Sequence, residues 1–403
     1  MGARRIYFDN AATTPLDGRV LAPMSAAFTD LFGNPSSLHV DGRQAREAVD
    51  VARARVAALL GAKPAEICFT SGGTESNNLA IRGIVGSFST GACHLITTAI
   101  EHPSVLEVCR SFSPSVVQVT RLPVGRDGIV DPDDLHGAIT PETRLISIMA
   151  ANNVIGTLQP ISECGWMAHE YGIPFHVDAT QAIGKIPVDV NRLQIDLLSF
   201  SAHKLYGPKG AGALFIREGT PFSSLIRGGG QEQDRRSGTE NVPGIVGLGA
   251  AAELCRQEMA EESARIVQLR QRLTDRLLET VPEAYLIGHR YRRLPGLVCL
   301  GFDGLEGQAI RLMLALDEAG ISVSTGSACS ANRAAQPSHV LTAMGFDPLR
   351  ARGSLRVSLG RFSTGEEVDL FVELLAGLVR NLRRDGVGHP SSLMMALSGE
   401  TLP

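Results

Sequence analysis

The feature that most restricts how this chain can fold is a change of period that repeats between about residues 65 and 217. Short β-branched or aliphatic runs occur at Ile67 to Thr70, His94 to Ala99, Val116 to Leu122, Leu145 to Ala150, Phe175 to Asp178, Leu197 to Ser201 and Ala211 to Ile216. Between them lie segments with helical spacing, notably Glu75 to Val85 and Ile161 to Tyr171, while Asp131-Pro132 offers an N-cap followed by proline at the first helical position. Uninterrupted apolar runs of strand length suit strands buried on both faces, and helices between them supply crossover connections. The expectation is an α/β domain with a mostly parallel sheet covered by helices.

The pattern then changes. From Pro243 to Val281 the apolar positions Leu254, Ile266, Leu269, Leu273 and Leu277 stand among Glu and Arg, as in one or two amphipathic helices leading to a second unit. That unit reads as a strand (Leu297 to Phe302), a helix (Leu305 to Ala319), a loop of small residues (Ser324 to Pro337), a strand (Leu355 to Ser358) and a last helix (Glu366 to Arg384). It is a compact α+β pattern, which suits a chain of 403 residues divided into one large and one smaller domain. The tail from Asp385 onward has little periodicity and is expected to be mobile unless a partner holds it.

Charge and composition narrow the function. Lys plus Arg total 38 against 42 Asp plus Glu, a net charge of −4, so the basic surplus that nucleic-acid binding needs is missing. The longest uncharged stretches, Gly83 to Ile100 and Leu145 to Ser162, contain polar and turn-forming residues and read as two elements each rather than as membrane spans. The N-terminal run Arg4-Arg5-Ile6-Tyr7-Phe8-Asp9 lacks the apolar core of a secretion signal, so a cytoplasmic protein is expected. The 7 cysteines are scattered, without a CxxC pair, which argues against a disulfide framework, structural zinc or another intrinsic metal site.

Several strand ends carry chemistry. Phe69-Thr70-Ser71-Gly72-Gly73-Thr74-Glu75-Ser76 runs from strand through glycines into helix, where backbone N–H groups and hydroxyls suit a phosphate, although alone a capped βα turn explains it better. Asp178 ends a strand at the ligand-binding edge of an open sheet, where helix caps are about as common. The chain has only four lysines, Lys63, Lys185, Lys204 and Lys209, and only Lys204 closely follows a buried strand at that edge. An amine, a carboxylate and phosphate donors are the parts a pyridoxal phosphate enzyme requires. His102 sits at the same edge and could stack on a ring and shuttle protons, or simply cap a helix; Asn152-Asn153 could reach a phenolic oxygen or form an ordinary turn. Arg356 could capture a carboxylate or form a structural ion pair. Cys329 stands among small residues with Arg333 nearby, a setting that favours an exposed, reactive thiolate, whereas the other six cysteines sit in apolar or helical contexts.

Taken in order, these segments resemble the cysteine desulfurase family of the NifS/IscS type, within the class V aminotransferase-like pyridoxal phosphate enzymes. The resemblance runs from Ile6 to about Asp369. It rests on Tyr7-Phe8-Asp9-Asn10-Ala11-Ala12-Thr13-Thr14-Pro15, Phe32-Gly33-Asn34-Pro35-Ser36-Ser37, Gly72-Gly73-Thr74-Glu75-Ser76-Asn77, Glu101-His102-Pro103, the Asp178/Gln181 pair, Ser201-Ala202-His203-Lys204, Arg236-Ser237-Gly238-Thr239-Glu240-Asn241 and Gly326-Ser327-Ala328-Cys329. Two segments depart from the family pattern: Val154 stands where Glu is frequent, and Ala335-Gln336-Pro337-Ser338 replaces Leu-Glu-Pro-Ser, removing a carboxylate from the cysteine loop.

The resemblance implies a fold type I pyridoxal phosphate transferase: a large α/β domain with a mostly parallel, mixed seven-stranded sheet over residues 15–258, and a small α+β domain from 1–14 and 259–403 that carries the cysteine loop, 324–337. It implies that Lys204 bonds covalently to the cofactor, Asp178 pairs with its ring nitrogen, His102 stacks on the ring, and Asn153 and Gln181 bind its phenolic oxygen. Gly73, Thr74, Ser201 and His203 would hold the phosphate, with Thr239 reaching across from a second subunit of a homodimer. Arg356 and Asn34 would bind the substrate carboxylate, and Cys329 would accept sulfur as a persulfide and could serve as a transient iron–sulfur ligand. The implied activity converts L-cysteine to L-alanine and hands sulfur to an acceptor protein such as an iron–sulfur scaffold. A selenocysteine lyase, an aminotransferase or a non-catalytic binding protein on the same fold are the alternatives.

Overall fold

The computed structural model describes residues 5–88, 93–326 and 336–384. The strands are β1 (Ile6–Tyr7), β2 (Ile67–Thr70), β3 (Cys93–Thr98), β4 (Val117–Leu122), β5 (Thr143–Ser147), β6 (Phe175–Asp178), β7 (Leu197–Ser201), β8 (Gly212–Ile216), β9 (Ala284–Ile287), β10 (Leu297–Phe302), β11 (Ile321–Ser322), β12 (Ser324–Thr325) and β13 (Leu355–Ser358). The helices are α1 (Gly18–Thr29), α2 (Val40–Leu60), α3 (Gly73–Val85), α4 (Pro103–Arg110), α5 (Pro132–Ala138), α6 (Ile161–Glu170), α7 (Val242–Thr280), α8 (Ala309–Glu318), α9 (His339–Ala343), α10 (Pro348–Arg352) and α11 (Gly365–Arg384).

Seven strands form one sheet in the order β2-β8-β7-β6-β5-β3-β4. β4, β3, β5, β6 and β7 pair in parallel, whereas β8 is antiparallel to both β7 and β2, so a single strand runs against the rest. The expected mixed, mostly parallel sheet is therefore present. Crossover helices bury both faces, which is why β3, β5, β6, β7 and β8 are buried along their lengths without alternation, apart from Arg144. Parallel strands also bring their carboxyl ends to one edge, and that edge carries the site.

A second sheet, β12-β13-β10-β9, is antiparallel. β1 pairs in parallel with β11, and Asp9 bridges to Ser358, so the first residues of the chain join elements more than 300 positions away. Two cores result. One gathers the sheet with α2 and the first part of α7, ending on that helix at Cys255; the other resumes on it at Ile266 and includes Phe8, Leu273, Leu277, Val357 and Phe371. α7 is one helix of 39 residues, where the sequence pattern allows one or two. Its N-cap, Asn241, accepts from the Gly244 amide, and after Pro243 no proline interrupts it.

Two boundaries differ from the sequence expectation. The helix read as starting at Leu305 begins at Ala309, because Gly304 and Gly307 adopt φ of +80° and +78° and turn the chain first. β5 stops at Ser147 instead of Ala150: the Ile148 and Ala150 amides still bond to carbonyls of β6, but the Met149 amide between them is taken by the Glu101 side chain.

α2 and α7 approach closely where Gly249 faces Ala52, and a Cβ at 249 would lie 2.6 Å from the Ala52 Cα. Gly249→Val should therefore force the helices apart and lower unfolding stability by roughly 1–3 kcal/mol. Urea titration reads this as a lower midpoint at unchanged slope.

Candidate active site

The carboxyl edge encloses a cavity of about 310 Å³. β6 ends at Asp178, and β7 ends at Ser201, followed by a single 3-10 turn that carries His203 and Lys204. β2 leads through Gly72 into α3, so Gly73 and Thr74 stand in the first turn of a helix with open N–H groups. Past β3, His102 becomes the N-cap of α4, with Pro103 at the first helical position. Arg356 enters from β13 of the other sheet, so both sheets contribute walls.

Asp178 is 5 % exposed, and both of its oxygens are bonded: Oδ2 accepts from the Asn77 amide at 2.8 Å and Oδ1 from the Thr180 N–H at 3.0 Å. The same Asn77 nitrogen donates to Ser104 Oγ at 2.8 Å, and Ser104 lies 2.7 Å from His102 Nδ1. Burial pulls the His102 imidazole below the usual histidine range, against the pull of Asp178. The Lys204 amine donates to the Ala11 and Ala12 carbonyls, both at 2.6 Å, so the segment after β1 folds over the lysine. His203 is drawn down to about 4 by burial and by the lysines around it, which keeps its imidazole neutral.

Gln181 donates to the Ala11 carbonyl at 2.9 Å, and its own Oε1 accepts from Lys185 at 3.4 Å. A carbonyl on one side and an amine on the other fix which way this amide faces. Burial, with the Lys204 charge nearby, brings Lys185 down to about 7. Arg356 spends one Nη on Asp9 at 2.8 Å and the other on the Asn153 carbonyl at 3.0 Å. The structural ion pair considered for it thus exists, yet its buried Nε has no acceptor among the described residues and remains available to a carboxylate.

Ten of the expected site residues line this one cavity: Gly73, Thr74, His102, Asn153, Asp178, Gln181, Ser201, His203, Lys204 and Arg356. Two do not. Thr239 lines a separate cavity with Ser71, Gly210 and Arg236, and Asn34 is exposed, its Oδ1 accepting from the Ser36 amide. Cys329 and most of the 324–337 loop lie outside the described residues. The other six cysteines are all buried, and burial pushes every one of their thiols upward, Cys109, Cys164 and Cys299 to about 12 and Cys255 to about 11. None of these six is set up as a nucleophile.

Sequence reasoning missed Ala11, Ala12, Asn77, Ser104 and Thr180 as cavity residues. A signal existed for the last two. Each stands two residues after a functional side chain at a strand end, in His102-Pro103-Ser104 and Asp178-Ala179-Thr180, where its amide caps that side chain.

A pyridoxal phosphate fits the residues present. Among the described residues, Thr180 Oγ1 is buried without a partner and Arg356 Nε lacks an acceptor, and a Cβ on Gly73 would come within 2.9 Å of Thr180 Oγ1, so glycine keeps the start of α3 open for a ligand. Fold and site together define a fold type I pyridoxal phosphate enzyme. The class-V aminotransferase family pattern matches residues 6–371, and the chain belongs to that family. Within it, the cysteine desulfurase IscS of Dictyoglomus turgidum is 48 % identical over 380 residues, covering 94 % of this chain and 96 % of that protein. A solved NifS-like protein superposes with a TM-score of 0.87 at 40 % identity, covering 94 % of this chain and all of the other. SspA, solved in complex with cysteine, gives a TM-score of 0.79 at 37 % identity over 89 % of this chain and all of its own. Membership brings pyridoxal phosphate as the cofactor, as the sequence expectation held.

Beside the site lies a carboxyl group that the sequence reading used only as part of a motif. Glu101 is fully buried; its Oε1 accepts from Thr98 Oγ1 at 2.8 Å and from the Met149 amide at 2.9 Å, while Oε2 has no partner among the described residues. Burial raises its pKa to about 8. Folded, Glu101 keeps its proton up to about pH 8; unfolded, it loses it near the ordinary glutamate value of 4.5. The folded state thus binds the extra proton in that window, and the stability it contributes is whole below the lower value and lost as pH rises through the upper one. Glu101→Gln removes this loss, so denaturant titrations at pH 5 and pH 8 should show the variant gaining on the wild type by a few kcal/mol, ~3–5 from the shift. Parallel pH dependences would show that Glu101 is ionised in the fold.

Proposed function

We propose that this chain is a cysteine desulfurase that converts L-cysteine to L-alanine and leaves the sulfur as a persulfide on Cys329. The convergence of Lys204, Asp178 and Arg356 on one cavity carries the reading, with relatives named cysteine desulfurase in support. Bound there, pyridoxal phosphate supplies an electron sink for a carbanion at the substrate Cα. Lys204 would be the amine that bonds to the cofactor and the base whose Nζ takes the substrate Cα proton. Asp178 would pair with the ring nitrogen, Asn153 and Gln181 would serve the phenolic oxygen, and Gly73, Thr74, Ser201 and His203 the phosphate. His102 would serve the ring. Arg356, oriented by Asp9 and the Asn153 carbonyl, receives the substrate carboxylate with Asn34.

The Cys329 thiolate attacks the substrate sulfur: an S–S bond forms as the substrate Cβ–S bond breaks, and the carbon skeleton takes up a proton to leave as alanine. Thr239 of a second copy completes the phosphate site, so the working unit is a homodimer; its place in a cavity apart from Lys204 in one chain supports this. Residues 15–258 form the cofactor unit and 1–14 with 259–403 the smaller one, a division supported by the change of core along α7 between Cys255 and Ile266. The acceptor is a second protein such as an iron–sulfur scaffold. The cytoplasm, with its reducing thiol pool, is the compartment that suits Cys329.

Replacement of Cys329 by Ala should abolish sulfide release from cysteine in the presence of a reductant, by ~10³-fold or more, while cofactor absorbance persists. Full activity in that variant would point to a lyase or aminotransferase instead. Arg356→Lys keeps the charge but not the planar fork, and its KM for cysteine should rise roughly 10-fold with a smaller change in kcat.

A further inference from the structure

We propose that Asn77 is a positioning residue of the cofactor site: its single amide nitrogen holds Asp178 in place and, through the Ser104 hydroxyl, adds a second donor to Nδ1 of a His102 ring whose proton sits on Nε2. The inference rests on the pyridoxal phosphate reading of the cavity only for the roles of Asp178 and His102; the clamp itself is a property of the chain.

Asn77 is 1 % exposed on α3, and both hydrogens of its Nδ2 are committed, one to Asp178 Oδ2 and one to Ser104 Oγ, each at 2.8 Å. The orientation of the amide is fixed by chemistry, because an ionised carboxylate can only accept. Flipping the amide would set its oxygen against Asp178 and leave that oxygen pair without a proton. Ser104 Oγ, accepting from Asn77, turns its own proton to His102 Nδ1 at 2.7 Å. The Ser104 backbone N–H also points at Nδ1, at 3.1 Å, and a backbone amide has nothing to offer but a proton. Nδ1 therefore carries the lone pair, and the ring's single proton sits on Nε2.

This state changes what His102 can do. A neutral ring protonated on Nε2 donates a hydrogen bond from that atom, but it cannot accept a proton there. Becoming an imidazolium requires a proton on Nδ1, which sets two hydrogens against each other at the helix cap. Burial lowers the pKa of the ring in the same direction. His102 thus acts by donating a hydrogen bond, and the proton transfers at the substrate fall to Lys204. The same clamp ties the carboxylate that pairs with the ring nitrogen to the imidazole that lies against the ring, so neither can shift alone.

The test is ¹⁵N-histidine NMR on the full-length chain, loaded and stripped of cofactor, with the His102 signals assigned by difference from His102→Gln. Wild type should show a bare Nδ1 and a protonated Nε2 at neutral pH in both forms. Asn77→Ala should weaken pyridoxal phosphate binding roughly 10-fold, the loss expected for a hydrogen bond to a buried charge, and shift the His102 Nδ1 resonance, with the tautomer itself kept by the Ser104 backbone amide. Ser104→Ala cuts only the histidine arm: the Nδ1 resonance should shift while cofactor affinity stays within about twofold, which a merely structural loss in either variant would not reproduce. A bare Nε2 in wild type, or an Nδ1 resonance unmoved in both folded variants, overturns the proposal. A clamp found in the stripped chain together with no affinity for pyridoxal phosphate would instead overturn the reading of the cavity.

Discussion

A carboxylate taken out of water is stable only if donors replace what water supplied, and Asp178 sets that condition for the whole site. Its place at the end of a parallel strand is cheap to arrange, because the strand ends there and the chain must turn. Its ionisation is not, since an unpaired charge in an apolar setting costs several kcal/mol. Two separate elements meet the demand: the Thr180 amide from the turn after β6 and the Asn77 side chain from α3. α3 is fixed in turn by its start, where Ser76 Oγ donates to the Gly72 and Ala213 carbonyls and so ties the glycine turn to β8.

The same reasoning explains why the chain's first residues return to the site. Lys204 and Gln181 both donate to the carbonyl of Ala11, and Thr14 accepts from the Tyr206 amide while donating to the His203 carbonyl. That segment is held from its other side by the pairing of β1 with β11 and by Ser358 of the second sheet, which accepts from the Ala11 amide. The lysine therefore rests on a strap fastened to both cores. A change of angle between the units would move Ala11, Ala12 and Asp9 together, and with them the contacts of Lys204 and Arg356.

What the sequence revealed, and what it hid, follows from the range of each interaction. Strands buried on both faces announce themselves locally, so the seven runs from Ile67 to Ile216 could be read directly, and the residues that end them, Asp178 and Ser201 with Lys204 just beyond, could be placed at one edge. The strap could not be derived in this way: Ala11 and Ala12 act through backbone carbonyls, which every residue has. Asn77 was visible in a motif but without a role, because its partners Ser104 and Asp178 lie 27 and 101 positions away. The resemblance supplied roles for Thr239 and Asn34, and within one chain neither lines the cavity with Lys204.

Glu101 shows the complementary device, a carboxyl kept neutral. Asp178 and Glu101 end neighbouring parts of the same edge, and two negative charges there would repel through a medium that screens poorly. The fold resolves this by unequal donors. Both oxygens of Asp178 accept hydrogen bonds, whereas Glu101 has donors at Oε1 only, and its Oε2 faces none. Protonated on Oε2, Glu101 still accepts the Met149 amide at Oε1, and so holds that backbone on the approach to Asn153 without adding charge beside the cavity. His339, at the start of α9, bonds to the Glu101 main-chain carbonyl at 3.0 Å, which fastens that helix to the residue before His102. Side chain and backbone of one residue thereby link the turn after β3, the approach to Asn153 and α9.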